Sequence, residues 1–127
     1  MSYTFTLPWE AVARDSGGAR YIIARRPTGP RLILSPGYRA AKQYAHTLGL
    51  KARSAAGLRA PLMGPLAWTA RVWFPDRRRR DAGNLRKMLT DAMSGVWYED
   101  DSQLYRETWE RAGIEKGGRI EIEIWAL

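Results

Sequence analysis

The sequence predicts an α+β fold: a single small domain in which a mixed β-sheet carries its helices on one face. Three observations predict it. Near the C-terminus Ile120, Ile122 and Ile124 alternate with Glu121 and Glu123, the period-two pattern of a strand buried on one side. Upstream, Trp68 to Phe74 is rich in aromatic and branched residues, and it is followed by a helical pattern with Leu85, Met88, Leu89 and Ala92 on one apolar face. The chain's 127 residues suit one domain, with no repeats or low-complexity tracts.

The elements follow in order. Tyr3 to Leu7 alternates apolar residues with threonine and reads as a first strand, closed by a turn at Pro8-Trp9-Glu10. Gly17-Gly18 predicts a turn, Tyr21 to Ala24 a short strand, Pro27-Thr28-Gly29-Pro30 a loop, and Leu32 to Leu34 a strand that pairs back as a hairpin. Ser35 then Pro36 supplies an N-cap and first-turn residue for a helix that continues through Tyr38 to Leu50, with Gly49 marking its end and Lys51, Arg53 and Arg59 in the connector beyond. Pro75 stops the strand that ends at Phe74. Asp81 caps a helix from Ala82 whose polar face carries Asn84, Lys87 and Asp91, and Gly95 terminates it. Leu104 to Trp109 reads as a strand, with Gly117-Gly118 as the turn before the last one.

Composition narrows the function. Lys and Arg outnumber Asp and Glu by 21 to 13, a formal charge of +8, so the expected partner is an anionic polymer or surface. No apolar run approaches the roughly 18 residues of a membrane span, and Met1-Ser2-Tyr3-Thr4 lacks the layout of an export signal, so a cytoplasmic protein without membrane contact is expected. With no cysteine there is no disulfide and no thiolate metal site, and the lone His46 reads as an ordinary helix residue. The six tryptophans read as core or interface residues in preference to stacking platforms.

Two stretches carry chemistry. In Asp76-Arg77-Arg78-Arg79-Arg80-Asp81 a strand end, four arginines and a helix start come together, and arginines grip phosphate bidentately. A solvated charge run is the plain alternative. In Glu99-Asp100-Asp101 three adjacent carboxylates repel unless cations compensate; Mg²⁺ takes one or two such ligands and completes its shell with water and phosphate oxygens, whereas a polar turn capped by arginines is the structural alternative. Helix and following strand are expected to pack side by side, bringing Asp81 and Asp101 towards one edge of the sheet. Lys87 lies roughly 9 Å along the helix from Asp81 and Asp91 about 15 Å, so Asp91 reads as the i+4 partner of Lys87 and not as a metal ligand.

Pro75-Asp76-Arg77-Arg78-Arg79-Arg80-Asp81, followed by Asn84-Leu85, Lys87 and Asp91-Ala92, resembles the RusA-type Holliday junction resolvases (crossover junction endodeoxyribonucleases). Asp100-Asp101-Ser102-Gln103 is similar to that family's acidic motif, Lys116-Gly117-Gly118-Arg119 to its C-terminal region and Thr4-Phe5-Thr6-Leu7-Pro8-Trp9 to its start. The resemblance implies one endonuclease domain over residues 1–127, acting as a symmetric homodimer that nicks opposing strands of branched DNA, above all four-way junctions, with Mg²⁺ or Mn²⁺ held by aspartates. Asp81 and Asp101 match catalytic aspartates, with Asp100 a further candidate ligand, and Lys87 matches a lysine important for activity. Arg77 to Arg80 lie in the family's basic block, and Arg86, Lys116 and Arg119 complete the expected DNA-contacting set. One departure stands out: Gly83 occupies the place of a third catalytic aspartate. A working nuclease, a junction binder that has lost cleavage, and a basic RNA- or membrane-binding chain therefore stand as alternatives, separable by a junction-cleavage assay with and without Mg²⁺.

Overall fold

The computed structural model describes residues 1–13, 21–26, 29–34, 36–80 and 82–127. In chain order these form β1 (Ser2–Pro8), α1 (Glu10–Ala13), β2 (Tyr21–Arg26), β3 (Gly29–Leu34), α2 (Pro36–Ala55), β4 (Leu66–Phe74), α3 (Ala82–Met93), a 3-10 turn (Asp101–Gln103), β5 (Leu104–Ile114) and β6 (Arg119–Ala126). Four strands make a mixed sheet in the order β1-β6-β4-β5, and β2 and β3 pair as a separate antiparallel hairpin. The expected α+β architecture is the observed one.

The isoleucine alternation is what builds the core. Register sets Phe5 opposite Ile122 and Leu7 opposite Ile120 on one side of β6, with Ala70 opposite Ile122 and Val72 opposite Ile120 on the other. Because successive strand residues face opposite sides, these apolar positions share one face. Ile120, Ile122 and Ile124 are fully buried there, each worth about 1.5–3 kcal/mol of transfer free energy. Against that layer lie Leu85, Met88, Leu89, Ala92 and Met93 of α3 and Ala41 and Ala45 of α2. Phe5 stacks on Trp97 at 5.0 Å between centroids, and Trp68 lies 6.2 Å from Tyr98. Of the six tryptophans, Trp9, Trp68 and Trp97 are buried and Trp73, Trp109 and Trp125 half-buried.

Four local expectations are corrected. Gly29 and Pro30, expected in a loop, open β3 and pair with Arg26 and Arg25. The turn after β1 passes at Glu10 into the short α1. The strand from Leu104 runs on to Ile114, because β5 pairs in parallel with the whole of β4. Most instructively, α2 does not stop at Gly49 but continues to Ala55, so Lys51 and Arg53 are helical. Gly49 is there for close approach: a Cβ at this position would stand 2.7 Å from the Met93 sulfur and 2.9 Å from its methyl. Side-chain bonds tie α2 to the end of α3: His46 Nδ1 lies 3.0 Å from the Ala92 carbonyl, and Arg53 Nη1 donates to the Val96 carbonyl at 2.9 Å. Gly17-Gly18, Pro27-Thr28, Ser35 and Asp81 lie outside the described residues.

Candidate nucleic-acid and metal site

The basic segment leaves β4 at Pro75 and is folded by its own carboxylate. Asp76 Oδ1 accepts hydrogen bonds from the Arg78 amide and from Arg80 Nη1, both at 2.8 Å, and Oδ2 accepts from Arg80 Nη2 at 3.1 Å. Arg80 Nη1 also donates to the Arg78 carbonyl at 3.3 Å. The same guanidinium lies 5.1 Å from the Trp9 ring centroid and 6.0 Å from that of Phe74, within cation–π range. Its side chain is 16% exposed, whereas Arg77, Arg78 and Arg79 are exposed residues. The Arg80 guanidinium and then the Arg78 amide hold the Asp76 carboxyl down to about 2.

The acidic segment is equally structured. Asp100 caps the 3-10 turn, its Oδ2 accepting from the Ser102 amide at 3.2 Å, and the side chain of Gln103 accepts from the amides of Glu99 and Asp100 in a capping box. Gln103 Nε2 donates at 3.0 Å to the carbonyls of Leu62 and Gly64, anchoring the turn to the segment before β4. Hydrogen bonding from Ser102 holds Asp100 below the usual carboxylate range. Asp101 is half-buried, and no hydrogen bond to its carboxylate is found among the described residues. Beneath the turn, buried Tyr98 donates its hydroxyl to the Thr90 carbonyl at 2.6 Å. Burial first, and then the negative charges of Asp101, Glu107, Asp91 and Asp100, push that phenol well above its ordinary range.

On α3, Lys87 Nζ stands 3.1 Å from Asp91 Oδ1, the expected i+4 pair. Arg86 Nη2 meets Glu107 Oε2 at 2.6 Å, and its guanidinium is held further protonated by that bond first and, more weakly, by Asp101. Gly83 is exposed in the first turn. At the turn between β5 and β6, Arg119 lies 3.8 Å over the Trp73 ring and pairs with Glu115, while Lys116 is exposed. The turn's geometry needs glycine at 118, where φ is +66° and a Cβ would come within 2.9 Å of the Trp73 carbonyl oxygen.

Sequence-expected residues are thus distributed along the molecule. Because β4 and β5 are parallel, α3 begins after the end of β4 and returns to the opposite end of the sheet, where Asp100 and Asp101 precede β5. Side-by-side packing of helix and strand does not by itself unite the two segments. Asp81 lies outside the described residues; the described charges acting with Asp101 are those around Arg86 and Tyr98. Among the described residues no group of three or more carboxylate or histidine side chains is arranged to hold a metal ion. Sequence reasoning missed Glu107 as the partner of Arg86, and it missed the inward role of Arg80. A signal for the latter existed: Asp76 with Arg78 two residues on and Arg80 four residues on is the spacing of an Asx turn with an added ion pair.

A family model described as Endodeoxyribonuclease RusA matches residues 16–125. Over 53 residues the chain is 43% identical to the Crossover junction endodeoxyribonuclease RusA of Escherichia coli strain K12. It is 44% identical over the same length to the proteins of that name from Shigella sonnei strain Ss046 and Enterobacteria phage 82. Each match covers 40% of this chain and 43% of the relative, so it spans less than half the length of these proteins.

Proposed function

Because the chain belongs to the RusA endodeoxyribonuclease family, we propose that it is a metal-dependent endonuclease that cuts four-way DNA junctions as a homodimer. The observation that carries this reading is the locked turn after β4, which holds three arginines outward beside the start of α3 in a protein of net charge +8. Arg77, Arg78 and Arg79 bind backbone phosphates, while the exposed Lys116 and the half-buried Arg119 extend the positive surface. Phosphate contacts carry no sequence information, so preference for a branched substrate comes from the shape that two symmetry-related copies present. Paired cuts need two active sites, and one domain of this size supplies one.

The donor set suits Mg²⁺ or Mn²⁺, which ask for one or two protein carboxylates. The Asp101 carboxylate is not engaged in a hydrogen bond among the described residues, whereas that of Asp100 also caps the 3-10 turn. Asp101 and Asp100 would hold the ion, which when bound polarises phosphate oxygen and activates water; Asp81 joins this set by resemblance alone. The chain's own groups do the rest. Lys87, oriented by its ion pair with Asp91, stabilises negative charge developing on the cleaved phosphodiester. Arg86, braced by Glu107, balances the acidic cluster.

Gly83 supports a second reading, a junction binder without cleavage, since a carboxylate expected in the first turn of α3 is missing. Incubating a synthetic four-way junction and a matched linear duplex with and without Mg²⁺ separates the two. Junction-selective, Mg²⁺-dependent nicks are expected; tight binding with no product in Mg²⁺ or Mn²⁺ would leave only the binder. Asp101→Asn is expected to abolish nicking and leave junction affinity within about twofold, because size and basic surface are conserved. Unchanged cleavage would remove Asp101 from the mechanism.

A further inference from the structure

We propose that Asp76 and Arg80 form a clamp that sets the shape of the phosphate-binding turn, so that Arg80 is a positioning residue for Arg77–Arg79 and not itself a phosphate ligand. The inference rests on the DNA-binding reading above, and it reassigns one of the four arginines of the basic run. Both terminal nitrogens of Arg80 are committed to Asp76, at 2.8 and 3.1 Å, in the bidentate arrangement that fixes a guanidinium most firmly. One of them reaches the Arg78 carbonyl as well, and the planar group rests over Trp9 and beside Phe74. Three of its five N–H donors are taken, and with the side chain 16% exposed and packed on two rings little of Arg80 is left for a phosphate to engage. Its three neighbours have no such anchor from their side chains among the described residues, and they stand in solvent.

The charge of Asp76 sharpens the argument. A carboxylate inside a DNA-contacting turn repels the backbone that the turn binds, so electrostatics alone favours its removal. What it supplies instead is order. It fixes the Arg78 amide by an Asx-type bond and, through Arg80, ties the turn to the Trp9 and Phe74 side of the core. Three long side chains presented from one backbone conformation lose less freedom on binding than three presented from many. The two readings of Arg80 therefore differ in sign: if Arg80 binds phosphate, neutralising Asp76 frees it and tightens binding; if Arg80 is the clamp, the same change loosens the turn and weakens binding.

The experiment uses the full chain with Asp76→Asn, Arg80→Lys and the double variant. Junction affinity is measured by fluorescence anisotropy at fixed salt, and nicking at saturating protein. Asp76→Asn keeps the size and an acceptor for the Arg78 amide. It is expected to weaken junction binding about tenfold despite raising net charge by one, as for the loss of a well-placed charged hydrogen bond. Arg80→Lys keeps the charge but not the planar fork, and it is expected to do the same, with the double variant no weaker than the worse single. Binding that tightens or stays constant in Asp76→Asn, an Arg80→Lys variant that binds like the parent, or effects that multiply in the double variant would each overturn the clamp. Side-chain NMR of the free protein reads it independently of DNA: the Arg80 guanidinium signals are expected to be shifted and slow to exchange, and to lose both properties in Asp76→Asn. An exchanging, unshifted Arg80 in the parent would overturn it too. If the parent neither binds nor nicks junctions, the proposed function fails while this last measurement still decides the clamp.

Discussion

At the scale of single residues, position in a hydrogen-bond network decides what a charge does. Asp76 and Asp101 are both aspartates beside basic groups, yet the first is saturated by Arg80 and Arg78, while the second has an oxygen pair that no hydrogen bond occupies among the described residues. The Asp76 carboxyl titrates at about 2 in the folded chain against 3.8 ordinarily, so the pair's stabilisation is complete above pH 3.8 and disappears as pH falls through about 2. Acid unfolding followed by circular dichroism is accordingly expected to show the parent exceeding Asp76→Asn in stability by a constant margin above pH 4, the two converging near pH 2. Equal curves at neutral pH would contradict the pairing. Gly83 poses the opposite case, a position with no side chain where a carboxylate suits both the helix N-terminus and the proposed ion. Gly83→Asp is expected to raise the nicking rate and lower the Mg²⁺ concentration for half-maximal activity. A rate no higher than the parent's across a Mg²⁺ and Mn²⁺ titration would show that the site does not use a carboxylate there.

Secondary-structure elements in this chain are sized by their partners. Helix α2 passes through Gly49, a residue that ordinarily ends a helix, because Met93 of α3 occupies the space a side chain would need. Gly49→Ala is expected to change stability little, the gain in helix propensity of about 0.5–1 kcal/mol being offset by displacement of the flexible Met93 terminus. Gly49→Leu overfills the contact and is expected to cost about 1–3 kcal/mol in chemical denaturation. If both variants unfold at the parent's midpoint, the two helices do not approach as described. Strand β6 is the sheet's interior apolar rib, and Ile122→Ala is expected to cost about 2–5 kcal/mol through lost burial and a cavity beside Phe5 and Ala70. In β5 the extension beyond Trp109 has no apolar pattern to announce it; parallel pairing with β4 carries it to Ile114.

For the whole molecule, the ruling quantity is charge and where it is exposed. A net charge of +8 with Arg77–Arg79 exposed predicts affinity that falls steeply with salt. Replacing Arg78 and Arg79 by alanine is expected to reduce the slope of log affinity against log salt by about two, at roughly 0.9 per phosphate contact. An unchanged slope would mark the run as a solvated charge surface. The proposed paired cuts require a dimer, and light scattering at micromolar concentration is expected to give twice the chain mass of 14.5 kDa. No helix among the described residues is long and apolar enough to cross a membrane.

By itself the sequence determined the α+β architecture, the strand carrying Ile120, Ile122 and Ile124, the apolar face of α3, the Lys87–Asp91 pair, the charge and the motifs that place the chain in its family. These properties are local: strand alternation, helical spacing and i to i+4 contacts lie within a few residues of one another, so a short window contains their cause. Tertiary structure alone decided that Gly49 continues a helix, that Lys51 and Arg53 belong to it, that β5 is long, that Arg86 answers to Glu107 and that the ring beneath Arg80 is Trp9. Each of those outcomes depends on a partner 21 or more positions away in the chain, such as Met93 for Gly49 or Trp9 for Arg80, and a local pattern carries no record of which distant side chain will fill the space beside it.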